Sequence, residues 1–288
     1  MNPRYPIYIV SKGRWEKRLT SDCLERYGVS YQMVVEPQEY DDYARMMNPE
    51  RLLVLPQKYH DEYDPCTDVP HGSNGSGAAR NFCWDHAISI GATSHWVLDD
   101  NIRAFGRLNR NRYDRVSSGA TFCAAEDFVD RYENVGLSGF NYEFFAKERQ
   151  RLPPFILNTR IYSCLLVRND LPFRWRSRYN EDTDLSLRVL KAGFCTVQFN
   201  AFLQEKMATQ SMKGGNTEAL YAEGTRLKSE MIRDLHPDVT RLTWRFGRIH
   251  HYVNYRPFRR NKLIKKRGLV VPSGVNNYGM ELREKVES

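Results

Sequence analysis

The chain has 288 residues, enough for one large α/β domain or two small ones with an ample core. It contains 43 Lys and Arg against 35 Asp and Glu, for a net charge of +8. The excess is local, because residues 241–267 hold ten Lys or Arg and no acid, and subtracting those ten leaves the remainder at −2. These totals exclude a uniformly basic protein and favour a near-neutral domain with a basic segment.

The six cysteines are widely spaced and form no CxxC pair, which argues against a zinc site and is typical of reduced thiols. No apolar stretch reaches the length of a membrane span. The first six residues precede an apolar run of only four, so no secretory signal is recognisable. We therefore expect a cytoplasmic protein without a membrane partner.

The N-terminal part alternates between strand and helix patterns. Ile7-Tyr8-Ile9-Val10 is a continuous β-rich apolar run and predicts a buried, parallel strand. The Gly-containing basic turn after it, residues 11–14, leads into a helix, and such a corner binds anions well. The elements predicted next are a helix over 15–27, a strand over 31–35, a helix over 39–47 and a strand over 51–55. This order opens a doubly wound α/β sheet.

An acidic cluster follows a later predicted strand. Trp96-Val97-Leu98 is too short for a helix and ends in Asp99-Asp100-Asn101. Adjacent carboxylates at the end of a buried strand repel each other, and a divalent cation with oxygen ligands removes that repulsion. A metal and a diphosphate together suggest a nucleotide-bound donor. The alternative is a simple turn after a strand.

Arg80 lies in the first turn of a helix predicted over about 78–90. A helix N-terminus favours anions, so an arginine there is electrostatically misplaced. We therefore expect Arg80 to serve a bound anion, although a surface arginine is the plainer interpretation.

A second acidic cluster opens a later helix. A loop rich in Arg and aromatic residues, 171–179, leads into Asn180-Glu181-Asp182, and a helix then runs to Gly193. Asn180 is the expected N-cap, and the acids fill the first turn. The cluster is either a good helix N-terminus alone or the site of a catalytic base, whose ionised form the helix dipole favours. We therefore expect a low pKa for Asp182.

The C-terminal part begins with a second Gly-rich, phosphate-type loop, Lys213-Gly214-Gly215-Asn216, before a helix predicted over 218–235. Residues 241–267 then interleave Arg and Lys with aromatic residues. Such a segment neutralises nucleic-acid phosphates while its aromatic rings pack or stack, and we expect Arg259, Arg260 and Lys262 to contact the acceptor. The alternative is a solvated basic helix with core aromatics.

Three motifs, taken in order, resemble those of the nucleotide-sugar-dependent glycosyltransferases of the GT-A fold. They are Gly77-Ala78-Ala79-Arg80-Asn81, similar to a donor-binding segment, Trp96-Val97-Leu98-Asp99-Asp100-Asn101, similar to the metal-binding acidic motif, and Asn180-Glu181-Asp182, similar to the base motif of inverting members. The resemblance implies a Rossmann-like mixed sheet flanked by helices over 1–216, with a basic helical segment over 217–288 for acceptor contacts. Asn101 departs from the family's Asp, so it stays open which of Asp99, Asp100 and Asn101 ligates the ion.

Within that fold the chain resembles the phage TET-associated glycosyltransferases, which act on 5-hydroxymethylcytosine in DNA. Tyr8-Ile9-Val10-Ser11-Lys12-Gly13-Arg14, Val34-Val35-Glu36-Pro37 and Leu98-Asp99-Asp100-Asn101 carry the resemblance. It implies a UDP-sugar donor, Mn²⁺ or Mg²⁺, and a hydroxymethylated base as acceptor.

From these comparisons of pattern we assign expected roles. The donor should contact Val10, Ser11, Lys12, Arg14, Glu36, Arg80, Asp99, Lys213, Gly214 and Gly215, with Glu36 accepting from the uracil ring. Asp182 should be the base, while Glu181 closes a cap or binds the sugar. Reaching the hydroxymethyl group calls for a flipped base, and Trp175 and Tyr179 are the side chains expected to hold it. Two alternatives stay open: transfer to a glycan or protein acceptor, and a nucleic-acid-binding protein with an inactive transferase domain.

Overall fold

A computed structural model describes residues 1–68, 75–109, 111–146, 152–207, 226–245, 247–270 and 274–275. Twelve strands lie in these ranges: β1 Ile7–Val10, β2 Gln32–Val35, β3 Leu52–Val54, β4 Ser94–Asp99, β5 Ile102–Asn109, β6 Arg112–Arg115, β7 Val135–Tyr142, β8 Phe155–Leu157, β9 Cys164–Arg168, β10 Cys195–Lys206, β11 Thr240–Arg245 and β12 Arg248–Val253. The α-helices in the same ranges are α1 Leu19–Arg26, α2 Tyr40–Met46, α3 Lys58–Asp61, α4 Gly77–Ser89, α5 Ala120–Val129, α6 Glu181–Lys191 and α7 Arg226–Leu235.

A ten-stranded mixed sheet forms the centre of the molecule, in the order β3-β2-β1-β4-β9-β7-β10-β5-β6, with β8 pairing to β10. β1 is parallel to β2 and β4, whereas β9 runs antiparallel between β4 and β7. The strands β1, β2, β4, β7 and β10 therefore all end at one edge of the sheet, which we call the carboxyl edge. The opposite edge, where they begin, is the amino edge.

Both faces of the sheet are covered, which confirms the α/β architecture predicted from the apolar strand runs. Ile7 and Ile9 belong to one buried cluster, together with side chains of α1 and α5. Tyr8 and Val10 point to the opposite cluster, which includes side chains of α4 and α6. The longest described helix, α4, has 13 residues, and no helix in the described ranges is long and apolar enough to cross a membrane.

The basic C-terminal segment differs from the prediction. Helix α7 lies within the predicted range, but the chain then forms the β11–β12 hairpin and a 3₁₀ helix, Arg256–Arg260, rather than a basic helix. Ile232, Val239 and Phe258 join Leu187 and Leu190 of α6 in a small buried cluster, which fixes this segment to the main domain. The predicted domain boundary at residue 216 lies outside the described residues.

Candidate active site

A cleft of about 410 Å³ opens at the carboxyl edge of the sheet. Its lining includes eleven of the predicted site residues: Val10, Ser11, Lys12, Arg14, Glu36, Arg80, Asp99, Asp100, Asn101, Glu181 and Asp182. They converge because β1, β2 and β4 end side by side there and because α4 and α6 begin there. Lys213, Gly214 and Gly215 lie outside the described residues.

The turn after β1 is fastened to the acidic motif. Val10 pairs in register with Asp99, and the Ser11 hydroxyl donates to Oδ2 of Asp100 at 2.8 Å. The guanidinium of Arg14 forms an ion pair with the other Asp100 oxygen. The Tyr43 hydroxyl bonds the Ser11 hydroxyl at 2.7 Å and accepts from the Arg14 backbone N–H at 3.1 Å. The basic corner and the acidic motif therefore form one preorganised unit.

Glu36 lies at the end of β2 with both carboxylate oxygens engaged. Lys12 Nζ donates to Oε1 at 3.0 Å, and His60 Nε2 lies 2.9 Å from Oε2. A carboxylate oxygen accepts more than one hydrogen bond, so the position is compatible with an acceptor for a base N–H. The contact between Glu36 and uracil stays a prediction.

Arg80 joins the two acidic motifs. Its side chain is only 3% exposed, and Nη2 lies 2.8 Å from Asp99 while Nη1 contacts Asp182 at 2.5 Å. The guanidinium also stacks on the ring of Trp175, 4.7 Å from its centroid. The anions that explain an arginine in the first turn of α4 are therefore two carboxylates of the protein. A further contact between Arg80 and the donor stays a prediction.

Lys206 is a site residue that the sequence did not reveal. It ends β10, and its Nζ lies 2.5 Å from Oδ2 of Asp99 and 2.7 Å from the Ser163 hydroxyl. Burial alone would raise the pKa of Asp99, but Lys206 and then Arg80 lower it to about 2. No motif or spacing in the sequence signals this lysine, which lies at the end of a twelve-residue strand.

The expected low pKa of Asp182 is wrong. Burial is the largest cause and raises the pKa of Asp182 to about 7, since a charged carboxylate is poorly solvated there. The neighbouring negative charges of Glu181 and Asp99 add to the rise, and the positive charge of Arg80 opposes it. Asn180 also differs from expectation: it adopts φ 55°, makes no side-chain cap, and donates from Nδ2 to the Lys228 carbonyl at 2.6 Å.

Glu181 is held from the side of α4. The Ser76 hydroxyl donates to its Oε1 at 2.9 Å, and the same oxygen lies 4.0 Å from Arg80. Glu181 therefore faces the cleft as a fixed carboxylate beside Asp182. Two alternative roles were predicted for Glu181, cap closure and sugar binding. Its carboxylate accepts from the Ser76 hydroxyl, just before α4, rather than from the N-terminus of α6, so the contact does not support cap closure. Sugar binding stays a prediction.

Asp99, Asp100 and Asn101 fit a hard divalent cation in ligand type, because Mg²⁺ and similar ions take carboxylate and amide oxygens together with substrate phosphates. Asn101 is buried, and its Oδ1 accepts no hydrogen bond from the described residues. The carboxylates are already neutralised by Lys206, Arg80 and Arg14. Within the described ranges no three His, Cys, Asp or Glu side chains converge as a metal site, so an ion held by Asp99 and Asp100 needs further oxygen ligands such as the Asn101 carboxamide or substrate phosphates.

The structure contradicts the acceptor role predicted for Trp175 and Tyr179. Both side chains are buried, at 1% and 5% exposure, and neither lines the cleft. The Asn81 side chain accepts from the backbone N–H of Trp175 at 2.8 Å and donates to its carbonyl at 3.0 Å. These hydrogen bonds hold the loop in place beneath Arg80. Among the described residues, the aromatic side chains Tyr142, Phe145 and Tyr162 line the cleft instead.

Arg259, Arg260 and Lys262 are exposed but lie at the amino edge, away from the cleft. The Asn134 side chain, just before β7, donates to the Lys262 carbonyl at 2.8 Å. The Asn261 side chain donates to the carbonyls of Leu190 and Phe194, at the C-terminal end of α6 and the approach to β10. The trio therefore lies apart from the cleft, and its contact with the DNA acceptor stays a prediction.

Comparison with known proteins agrees with this geometry. The family model described as TET-associated glycosyltransferase matches residues 5–215. No curated protein matches the chain. The matched range covers every strand of the main sheet and both acidic motifs, which is well over half of the sequence. The chain therefore belongs to the TET-associated glycosyltransferase family.

Proposed function

We propose that this glycosyltransferase moves a sugar from a UDP-sugar to the hydroxymethyl group of 5-hydroxymethylcytosine in DNA, as in a phage-modified genome. The observation that carries the proposal is the cleft in which Arg80 joins Asp99 to Asp182. The residues at the end of β1, proposed to bind the donor, and the Asp182 carboxylate, with a pKa of about 7, line one cavity there. Family membership supports the transfer reaction and the hydroxymethylated acceptor.

The turn after β1 supports the donor end of the proposal. Lys12 and Arg14 place two cationic side chains at the cleft, and basic side chains bind phosphate oxygens. Glu36, fixed by Lys12 and His60, is the proposed acceptor for the uracil N–H. The cavity is large enough for a nucleotide-sized ligand.

Asp182 is the proposed base. A primary alcohol becomes a strong nucleophile as its proton leaves, and a base is most effective when its pKa is near the working pH. The O–H proton passes to the Asp182 carboxylate while the oxygen bonds the anomeric carbon. The electron pair of the breaking carbon–oxygen bond leaves with the diphosphate. Arg80 holds the carboxylate in place and limits the rise of its pKa.

A divalent ion is part of the proposal. Asp99, Asp100 and Asn101 are the residues that would hold Mn²⁺ or Mg²⁺. When bound, such an ion supplies Lewis-acid stabilisation of the departing diphosphate. Arg14 and Lys206 flank Asp100 and Asp99, and their positive charges help to neutralise the departing diphosphate.

The deciding experiment is incubation of the protein with a panel of UDP-sugars and duplex DNA containing 5-hydroxymethylcytosine, followed by nucleoside mass spectrometry. We expect one hexose- or aminohexose-sized mass addition on that nucleoside and none on unmodified cytosine. Hydrolysis of a UDP-sugar without any addition to DNA would favour a glycan or protein as the acceptor. An absence of both hydrolysis and transfer would reject the proposed activity.

A further inference from the structure

A cationic surface lies beside the cleft at the tip of the β11–β12 hairpin. We call it the tip surface and define it by five residues: Arg160, Lys228, Trp244, Arg245 and Arg248. Arg160 also lines the cleft. Asn180 lines the cleft too, and it donates to the Lys228 carbonyl at 2.6 Å. The tip surface is therefore continuous with the proposed active site.

The course of the chain explains why the hairpin tip reaches the cleft. Helix α7 begins near Asn180 and ends near the C-terminus of α6, where Lys191 Nζ lies 2.7 Å from Asp238. Strand β11 starts at that far end, with the Thr240 hydroxyl donating to the His236 carbonyl at 2.6 Å. A six-residue strand spans about 20 Å and a ten-residue helix about 15 Å. The turn between β11 and β12 thus returns to the level of the cleft.

Lys228 and His251 lie close to positive charges of the tip surface. Burial lowers the pKa of Lys228, and the charges of Arg248 and Arg160 lower it further. Burial also lowers the pKa of His251 to about 4, again with help from Arg160 and Lys228. The nearby carboxylate of Glu230 is taken by Arg226 at 2.8 Å. A surface with this charge balance concentrates a polyanion.

Trp244 is an exposed aromatic residue near the tip of the same hairpin. It is 70% exposed, whereas Trp84, Trp96 and Trp175 are buried and Trp15 is half-buried. It directly precedes Arg245 at the C-terminal end of β11, where Arg245 pairs with Arg248 as the last pair of the hairpin. Exposed aromatic rings beside arginines are the combination that holds nucleic-acid bases and backbones.

We propose that the tip surface binds the DNA strand that carries the target base. Arg245 and Arg248 bind phosphates flanking the target nucleotide, and Trp244 packs against a neighbouring sugar or base. The inference rests on the proposed DNA acceptor and deepens it. It moves the DNA contact from Arg259, Arg260 and Lys262 at the amino edge to a hairpin beside the cleft.

The test compares two double variants with the same change of charge. Arg245→Glu with Arg248→Glu alters the tip surface, and Arg259→Glu with Arg260→Glu alters exposed arginines of the amino edge. Affinity for hydroxymethylated duplex DNA is measured by fluorescence anisotropy over a range of salt. For the tip variant we expect a Kd at least about tenfold higher and a log–log salt slope shallower by about 1.8, since each phosphate contact contributes about 0.9. The amino-edge variant should stay within about twofold of the wild type.

Tryptophan quenching gives a second readout at the tip. DNA should protect wild-type fluorescence from acrylamide, and Trp244→Phe should remove that protection because the remaining tryptophans are buried or half-buried. Thermal unfolding midpoints and UDP affinities near wild type show that each variant is folded.

Two outcomes overturn the inference while leaving the proposed function standing. One is wild-type DNA affinity and salt slope in the tip variant when the wild-type protein modifies DNA. The other is a loss of affinity in the amino-edge variant as large as that in the tip variant, which would make the effect one of net charge. If the wild-type protein neither binds nor modifies DNA, the proposed acceptor itself is rejected.

Discussion

At the scale of single residues, Asp182 is the side chain on which the proposed reaction depends most directly. Asp182→Asn keeps the shape and removes the base, so kcat should fall by about 10²–10⁴-fold. Steady-state kinetics with DNA and UDP-sugar measure the effect, and Glu181→Gln is the matched control. Full activity of Asp182→Asn with a dead Glu181→Gln would reverse the two roles. Full activity of both would reject a direct base and favour a retaining mechanism, in which the leaving phosphate takes the proton.

The raised pKa of Asp182 makes a separate prediction about pH. The base must be ionised, and its pKa is raised to about 7 by burial. As the pH falls below 7 the protonated fraction grows, and kcat/KM should drop about tenfold per pH unit. Above that pKa the rate should level off. A rate that is constant between about pH 5 and pH 8 would contradict the assignment, as the buried carboxylate titrates inside that window.

Arg80 links stability to that pH profile. Arg80→Met leaves two partly buried carboxylates without their shared cation, which should cost about 3–5 kcal/mol of unfolding free energy. Because Arg80 lowers the pKa of Asp182, its removal should also move the pH–rate midpoint upward. Arg80→Lys keeps the charge but loses the fork that reaches both Asp99 and Asp182. Arg80→Lys should return the pH–rate midpoint toward the wild-type value. An unchanged midpoint in Arg80→Met would show that the ion pair between Arg80 and Asp182 is structural only.

At the scale of elements, Glu205 fastens the β5–β6 hairpin to β10. It is 5% exposed and accepts hydrogen bonds from Tyr113 at 2.6 Å, Arg115 at 2.7 Å and Arg103 at 2.9 Å. The hydrogen bonds from Arg115 are the largest cause that lowers the pKa of Glu205, to about 2. A depressed carboxyl pKa stabilises the fold above the unfolded value near 4.5, and the contribution is lost as the pH falls toward 2.

Glu205→Gln should therefore reduce the unfolding free energy at pH 7 by about 1–3 kcal/mol, because three hydrogen-bond donors lose their charged, buried acceptor. The difference from wild type should shrink between about pH 5 and pH 2. Denaturant unfolding at several pH values measures both, with Asp114→Asn on the exposed face of β6 as the control. A loss that is equally large at pH 7 and pH 2 would assign it to packing rather than to charge.

The sequence predicted the sheet better than its hairpins. Continuous apolar runs such as Ile7–Val10 have one plausible environment, a strand buried on both faces. The β5–β6 and β11–β12 hairpins were not predicted, although Asn111 at φ 64° and Gly247 at φ 71° occupy the left-handed positions that hairpin turns require. Alternation in Leu242-Thr243-Trp244 is the signal that could have identified β11 as a strand.

The sequence predicted the site residues that strand ends bring together. It did not predict the contacts between side chains that lie far apart in the sequence. Parallel strands carry Ser11, Glu36 and Asp99 to one edge by topology alone. The engagement of Asp99 by Lys206 and the pKa of Asp182 arise from burial and close charges, which no spacing in the sequence encodes. The same reasoning explains Trp175, whose loop composition suggested a binding surface but whose ring lies buried under Arg80.

At the scale of the whole molecule, the cleft is assembled from distant parts of the chain. β1 and β4 supply one wall, and α6 with the end of β10 supplies the other, across the antiparallel strand β9. A ligand that fills the cleft binds only when both walls are in place. UDP at about a hundredfold excess over its Kd should therefore add about 2.7 kcal/mol to the unfolding free energy of the whole chain.

Thermal unfolding with UDP also tests the metal. If Asp99, Asp100 and Asn101 hold Mn²⁺, the ion should raise the unfolding midpoint further in the presence of UDP, and EDTA should abolish both this increment and sugar transfer. Asn101→Ala removes the buried oxygen that has no partner among the described residues and should lose the Mn²⁺ increment while keeping the UDP effect. Persistence of transfer and of the midpoint in EDTA would contradict metal dependence. The positive charge beside Asp99 would then come from Lys206, whose Nζ already lies 2.5 Å from that carboxylate, and Lys206→Met should abolish transfer.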